Sequence, residues 1–294
     1  MDASTEQLRT LAAVIDHGTF DRAAAALHIT PSAVSQRIKS LEEQSGRVLV
    51  RRSKPIQATE AGAVLLRLAR QVALLEAEAA AELGGGDGAA GATPIPLVVN
   101  ADSLATWVLP ALATVDGAVF DLTLDDQEHT IDRLRDGTAM AAIGSDREPV
   151  QGCVVSALGA MRYRPLASPG FVERWCPDGW DAGRAAVAPM LVYNRKDALQ
   201  DRYLARFAPS ARPPRHFVPA STEFAGAALL GLGWGMLPDL QAAEAIADGR
   251  LVELDPRGAV DVPLYWQQWS LHSAALDAVA SAIARAAAVA LRPA

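Results

Sequence analysis

The chain has 294 residues and a net charge of −7, and hydrophobic residues make up 50% of it. This length favours at least two domains, and the acidic balance excludes a protein that coats nucleic acid without sequence preference. No apolar run reaches the roughly 18 residues of a membrane span. The start MDASTEQLRTL lacks the basic and apolar regions of a secretory signal, so we expect a cytoplasmic protein with no membrane segment.

Three short helices are predicted before residue 46. The first has apolar residues at helical spacing and ends at Gly18. Thr19 can cap the second helix, FDRAAAALH, and Thr30 can cap the third, in which Pro31 takes the first position, where a missing N–H costs nothing. Only the residues HIT separate the second helix from the third. Two short helices joined by such a turn form a helix-turn-helix.

A wing and a long helix follow. RVLVRRSKPIQAT (47–59) has the pattern of a short strand, a basic turn and a return strand, and Thr59 can cap the next helix. The apolar residues of that helix step by four and three: Ala61, Leu65, Leu68, Val72, Leu75 and Ala79. This 3.5-residue period predicts that a second helix covers the seam, and therefore a homodimer; the choice between one dimer and a dimer of dimers stays open. The alternative is that the seam packs on the body of its own chain.

The remainder of the chain alternates between strands and helices. GGGDGAAGAT (84–93) is a flexible linker by composition. Beyond it, short apolar runs predict strands: IPLVVN, FDLTLDD, MAAIG, MRYRPLAS, PMLVYN, WGMLP and PLYWQQW. Helices are predicted between most of them: 104–114, 128–136, 223–231 and 274–291. This alternation indicates α/β units around mainly parallel sheets.

Positive charge is concentrated on the predicted helix-turn-helix and wing. Residues 31–57 contain six Lys or Arg against two Glu, although residues 1–83 as a whole are neutral. Such clustering is typical of a protein that binds a specific DNA site. The candidate major-groove residues are Ser32, Ser35, Gln36 and Lys39, and the candidate phosphate or minor-groove residues are Arg51, Arg52 and Lys54. Arg37 either joins these contacts or forms a salt bridge to Glu42. For any one of these residues alone, the alternative is a solvated helix face.

The order of these elements resembles the LysR-type transcriptional regulators over the whole chain. The segments that carry the resemblance are FDRAAAALHITPSAVSQRIKSLE, SGRVLVRR and TEAGAVLL. Two features depart from the family pattern: Pro31 and Ser32 stand where many members have Gln and Pro, and the wing is about one residue short. An operator sequence therefore cannot be transferred to this chain.

The resemblance implies a fold class of α+β and α/β, with a winged helix-turn-helix, a long linker helix and a two-lobed, periplasmic-binding-protein-like α/β effector domain. The predicted bounds are 1–58 for the DNA-binding domain, 59–83 for the linker helix, 84–93 for the flexible linker and 94–294 for the effector domain. Lobe I is expected at about 94–162 and 266–294, and lobe II at about 163–265. The partners implied are promoter DNA with dyad symmetry and RNA polymerase.

A narrower resemblance points to the arginine/lysine-responsive branch of this family, the ArgP/LysG-like regulators. It rests on VVNADSLATWVLPALA (98–113), LDDQEHT, STEFAGAALLGLGWGMLP and PLYWQQW. It implies lysine or arginine as a small-molecule effector, with no cofactor, and control of a gene for basic amino acid export or metabolism.

A basic amino acid needs donors for its carboxylate and acidic groups for its cations. Ser103 and the amides near it, at the start of a helix after a strand, are candidates for the carboxylate. The candidate acids are Asp102, Asp125, Asp126 and Glu223, and the candidate pocket walls are Trp107, Tyr193, Asn194 and Thr222. Each acid is otherwise a helix cap or a surface charge, and Trp107 is otherwise a core residue.

Two other classes of function stay open on sequence grounds. A LysR-type regulator could take an organic or aromatic acid instead, which would need cations in its pocket. An enzyme or solute-binding protein with an incidental helical domain is the more distant alternative. The sequence has no nucleophile–base constellation and no metal-binding motif, and Cys153 and Cys176 have the spacing of two unrelated thiols, so we expect no catalytic or metal site.

Overall fold

The computed structural model describes residues 3–83, 94–125, 130–271 and 273–293, and in residues 81, 82, 125, 130 and 131 it describes the backbone alone. The predicted flexible linker 84–93 and Asp126 lie outside the described residues. Within the part of the chain that the structure describes, no helix combines the length and apolar character that a membrane crossing needs.

The helix-turn-helix forms as predicted, from α1 (Thr5–His17), α2 (Phe20–Ala26) and α3 (Pro31–Ser45). Gly18 ends α1 with a φ of 69°, in the left-handed region that favours glycine. Thr19 Oγ1 accepts the Arg22 N–H at 3.2 Å, and Thr30 Oγ1 accepts the Ala33 N–H at 3.2 Å. The predicted caps are therefore confirmed.

Glu42 joins the third helix to the wing, which consists of the antiparallel strands β1 (Val50–Arg51) and β2 (Gln57–Ala58). Its Oε1 accepts the backbone N–H of Leu49 at 2.8 Å. The alternative of an Arg37–Glu42 salt bridge is wrong, because Arg37 instead pairs with Glu6 of α1 at 2.8 Å. Glu42 thus accepts hydrogen bonds from backbone N–H groups of the segment that follows α3.

The linker helix α4 (Glu60–Glu82) begins at the predicted cap, where Thr59 Oγ1 accepts the Gly62 N–H at 3.0 Å. Leu65, Ala61 and Val72 of the predicted seam pack into the hydrophobic core of the DNA-binding domain. For these three positions the alternative interpretation, packing on the chain's own body, is correct. Leu68 and Leu75, at 38% and 43% exposure, remain open at the surface.

The other elements alternate as expected. They are β3 (Ile95–Asn100), α5 (Ala101–Ser103), a π-helical stretch (Leu104–Val108), α6 (Leu109–Leu112), β4 (Phe120–Asp125), α7 (Thr130–Arg135), β5 (Ala141–Gly144), β6 (Cys153–Ala167), α8 (Pro169–Trp175), α9 (Ala182–Val187), β7 (Met190–Val192), α10 (Leu199–Phe207), β8 (Arg215–Phe217), α11 (Ser221–Leu229), β9 (Gly235–Pro238), α12 (Asp239–Ala247), β10 (Val252–Glu253), β11 (Val260–Trp269) and α13 (Ala274–Ala290). Every strand predicted from an apolar run corresponds to one of these strands.

The chain divides into two compact units. One comprises Met1–Val99, Val115–Ser156 and Trp266–Ser281, and the other comprises Asn100–Thr114, Ala157–Tyr265 and Ala282–Ala294. The strands β6 and β11 belong partly to each. The predicted domain and lobe bounds stay predictions.

The sheets are mixed rather than mainly parallel. In the first unit, the fully buried strands β3 and β5 pair in parallel, with Val98 opposite Ala142. In the second unit, β7 pairs in parallel with β8, but β6 pairs antiparallel with both β9 and β10. Parallel pairing places the carboxyl ends of β3 and β5 at the same end of the sheet, and the candidate effector residues begin just after β3 there.

Candidate DNA-binding surface and effector pocket

The exposed face of α3 carries the predicted base-reading side chains. Its opposite face is anchored by Val34, Ile38 and Leu41, which are 0 to 2% exposed. The exposed residues on the outer face are Ser32, Ser35, Gln36 and Lys39. An anchored inner face and a polar outer face are what a helix needs to enter a major groove.

The wing adds exposed cations beside this helix. Arg51, Arg52 and Lys54 are all exposed, and Arg52 lies over the ring of Phe20 at 5.9 Å. Among the described residues, neither Arg51 nor Lys54 has an ion-pair partner. These charges are therefore available for phosphates.

Two of the predicted DNA-binding cations already have acidic neighbours. Lys39 lies 3.6 Å from Glu43, but both side chains are more than 60% exposed, so a phosphate can replace this weak pair. Arg37 is 31% exposed and also approaches Thr10 Oγ1 at 3.5 Å, so its guanidinium ties α3 to α1. The structure does not group Arg37 with the outer-face residues.

The second candidate site is built around Asp102, one residue into the helix that follows β3. Ser221 Oγ donates to its Oδ1 at 2.6 Å, and Tyr163 Oη donates to its Oδ2 at 2.7 Å. Ser221 and Tyr163 are buried, and Gln241 Nε2 donates to the Ser221 carbonyl at 3.1 Å. Donors from β6 and α11 thus meet on the one carboxylate of α5, and Gln241 of α12 supports Ser221.

The electrostatic setting of Asp102 is that of an acid with no cation beside it. Burial raises its pKa above the ordinary value, the two hydroxyl donors offset part of that rise, and the charge of Asp197 adds to it. Burial and the Asp102 charge raise the pKa of Tyr163 well above its ordinary range, so the phenol stays a donor. None of the described residues forms an ion pair with Asp102, so its buried carboxylate is balanced by hydroxyl donors alone.

Unpaired polar atoms stand next to this carboxylate in the sequence. Asn100 Oδ1, Ser103 Oγ and Trp107 Nε1 are buried and have no hydrogen-bond partner among the described residues. Buried polar atoms without a partner are uncommon. The helix also widens to a π-helical turn at Leu104–Val108, a feature that often marks functional sites.

The remaining predicted residues divide into three groups. Tyr193 and Asn194 belong to a turn that holds Asp197: the Tyr193 N–H donates to Asp197 Oδ2 at 3.0 Å, and Asn194 Oδ1 accepts the Asp197 N–H at 3.0 Å. Thr222 and Glu223 are exposed at the start of α11, directly after Ser221. Asp125 ends β4, but its side chain is not described, and Asp126 lies outside the described residues.

Several residues around Asp102 were not among the sequence predictions. They are Asn100, Tyr163, Asp197, Ser221 and Gln241. The one available signal was Ser221, a hydroxyl at the start of a predicted helix beside Thr222. Nothing local distinguishes Tyr163 from any other aromatic residue on a strand.

Comparison with known proteins defines the class. The family described as "Bacterial regulatory helix-turn-helix protein, lysR family" matches residues 5–63, and the "LysR substrate binding domain" family matches residues 98–288. The chain belongs to the LysR family of DNA-binding transcriptional regulators, and the predicted family and fold class are confirmed.

Three relatives make the likeness more specific. The crystal structure of ArgP from Mycobacterium tuberculosis is 48% identical, with a TM-score of 0.85 and 98% of each chain covered. The full-length LysG of Corynebacterium glutamicum with bound effector Arg is 41% identical, with a TM-score of 0.77 and coverage of 99% of this chain and 100% of that one. A lysine export transcriptional regulatory protein, also LysG of C. glutamicum, is 42% identical over 295 residues, or 98% of this chain and 99% of the relative. The ArgP/LysG-like resemblance is therefore confirmed.

Proposed function

We propose that this chain regulates transcription in response to a basic amino acid, lysine or arginine, and that it controls a gene for the export or metabolism of such amino acids. The observation that carries the proposal is Asp102, a carboxylate held by two hydroxyl donors with no cation beside it among the described residues. The α-ammonium or the distal cation of the effector would supply that charge.

The relatives support the same effector class. One of the similar structures holds arginine as its effector, and one similar regulator is named for lysine export. An organic or aromatic acid is the weaker candidate, because an anionic ligand beside Asp102 and Asp197 would be repelled by both.

On the DNA side, we propose a homodimer, or a pair of dimers, that places two α3 helices in successive major grooves of a dyad-symmetric promoter site. The apolar residues left open on α4, Val64, Leu68 and Leu75, support a second α4 as the partner surface. We further propose that the protein is cytoplasmic and contacts RNA polymerase at the promoter.

Titration calorimetry with lysine, arginine and alanine tests the effector assignment. Lysine or arginine is expected to bind at least tenfold more tightly than alanine, because only they carry a distal cation. The assignment would fail if all three gave the same weak heats, or if an uncharged or anionic ligand bound more tightly than either.

A further inference from the structure

The linker helix α4 is covered on two sides, and only one of them belongs to the DNA-binding domain. Leu65 and Ala69 pack into the hydrophobic core that α4 shares with α1 and α3. Leu66 and Leu74 are equally buried, at 0% and 3% exposure, but do not belong to that core. Two polar side chains of α4, Arg67 and Glu78, contact the effector domain of the same chain.

Arg67 makes the first of these contacts. Its Nη1 donates to the carbonyl of Gln151 at 3.1 Å, and its Nη2 donates to the carbonyl of Arg135 at 3.2 Å. A Cβ added to Gly137 would lie 3.0 Å from the Arg67 backbone nitrogen, so the turn after α7 approaches α4 closely. The planar guanidinium joins two separate segments of the effector domain to one point on the helix.

Glu78 makes the second contact, eleven residues further along α4. Its Oε1 accepts Ser273 Oγ at 2.5 Å and the Ala275 N–H at 3.1 Å, at the first turn of α13. Ser273 Oγ in turn accepts the Leu276 N–H at 3.2 Å. An acidic group is favourable at a helix N-terminus, because the N–H groups there lack partners within the helix.

Two attachment points about 16 Å apart along a helix fix both its position and its rotation. On its other side, α4 is fixed to α1 by Arg70, which is 12% exposed and lies 2.5 Å from Asp16. The recognition helix α3 packs in the same core as α1 and α4. A displacement of the effector-domain segments that Arg67 and Glu78 hold would therefore move α3.

We propose that Arg67 and Glu78 are positioning residues that dock α4 on the effector domain of its own chain and couple effector binding to the placement of the recognition helix. The coupling part of this proposal rests on the proposed effector response. The docking part does not, and it can be tested separately.

The test compares Arg67→Gln and Glu78→Gln with two control variants of the full chain. Glu76→Gln removes an acid from the same helix that pairs with the exposed Arg9 of α1, and Arg147→Gln removes an exposed arginine from the effector domain. Three quantities are measured: the arginine Kd by calorimetry, the promoter-DNA Kd with and without arginine, and amide hydrogen exchange.

Arginine Kd is expected to stay within twofold in all four variants, because neither positioning residue touches the pocket. In Arg67→Gln and Glu78→Gln, the ratio of DNA Kd values with and without arginine should be about fivefold closer to one than in the unmodified chain. Exchange should rise both at 134–139 and at 273–277 in either variant, since the two contacts hold one helix. The controls should match the unmodified chain.

A coupling ratio within twofold of the unmodified chain in both variants would overturn the proposed coupling. Exchange that rises only beside the substituted residue would overturn the docking, because each contact would then be merely local. If the unmodified chain responds to neither arginine nor lysine, the proposed function fails, and hydrogen exchange still decides the docking.

Discussion

Ser221 Oγ lies 2.6 Å from Asp102 Oδ1 and donates a hydrogen bond to it across 119 residues of sequence. Tyr163 donates to the other oxygen of the same carboxylate. The two hydroxyls orient the acid but bring no positive charge, and burial raises its pKa. Under the proposed function, a cationic group of the effector beside Asp102 would meet an oriented carboxylate and offset the cost of burying its charge.

Asp102→Asn separates binding from stability. The amide keeps the size; its oxygen can accept from one hydroxyl and its NH2 can donate to the oxygen of the other. It cannot neutralise a cation, so the affinity for arginine or lysine should fall by about 100-fold. The free energy of unfolding without ligand should rise by on the order of 1 kcal/mol, because a desolvated charge is removed. Calorimetry and thermal denaturation measure the two effects. The control Asp178→Asn alters an acid that is 87% exposed and should change neither quantity; a loss of stability in Asp102→Asn would contradict this account.

Effector affinity should depend on pH with a defined sign. Because the pKa of Asp102 is raised in the empty protein, its carboxyl takes up a proton before an exposed aspartate does as pH falls. Affinity for a cationic effector should be constant above that raised pKa and fall by about tenfold per pH unit below it. The free energy of unfolding without ligand should change in the opposite direction. It should increase as pH falls from the raised pKa of folded Asp102 toward the ordinary pKa of an unfolded aspartate, because the folded state binds the proton more tightly.

Ser221→Ala provides the control for this pH profile. The Ser221 hydrogen bond lowers the pKa of Asp102, so its loss should raise that pKa and move the fall in affinity to higher pH. Calorimetry over a series of buffers gives the midpoint. A midpoint unchanged by Ser221→Ala, or shifted to lower pH, would show that another group titrates.

Gly62→Ala should destabilise the junction of the wing and the linker helix. A Cβ at Gly62 would lie 1.9 Å from the carbonyl oxygen of Leu49. Since a Cβ is fixed by its own backbone, no side-chain rotation can relieve this clash. We expect a loss of about 3 kcal/mol in the free energy of unfolding, measured in urea. Gly226→Ala is the matched control, because that helical glycine has nothing within 4 Å of the added Cβ and should gain about 0.5 kcal/mol. Equal effects at the two glycines would contradict the close approach.

Lys54→Ala and Gln36→Ala should weaken DNA binding in different ways. Lys54 has the setting of a phosphate contact, so its loss should reduce affinity for every duplex alike and lower the salt dependence of log Kd by about one. Gln36 lies on the exposed face of α3, so its loss should cost about 1–3 kcal/mol on the cognate site alone, with an unchanged salt slope. Anisotropy titrations at several salt concentrations separate these outcomes. The assignment of roles would be reversed if Gln36→Ala changed the salt slope and Lys54→Ala did not.

The parts of the fold that could be predicted are those that neighbouring residues determine. Gly18, Thr19 and Thr30 each end or begin a helix through bonds within a few residues, so their roles follow from sequence. The short helices α8, α9, α10 and α12 were not predicted, since six to nine residues carry too little periodicity to stand out.

The parts that could not be predicted depend on distant partners. Periodicity identified the apolar seam of α4 but not the residues that cover it. In the structure, Leu65 packs in the core of the DNA-binding domain, whereas Leu68 is exposed. Arg37 lies near Glu42 in sequence, yet it pairs with Glu6, 31 residues away. Of the two donors to Asp102, Ser221 had a weak signal at the start of a predicted helix and Tyr163 had none, so their meeting at one carboxylate required the fold.

The most direct test of the whole account is the anisotropy of a labelled duplex from upstream of the gene, titrated with the purified protein beside a shuffled duplex. We expect binding to the upstream duplex to be at least about 10³-fold tighter than binding to the shuffled one. Arginine or lysine should change the upstream Kd by about fivefold or more, and alanine should not change it. Equal affinity for the two duplexes, or an identical response to all three amino acids, would contradict it.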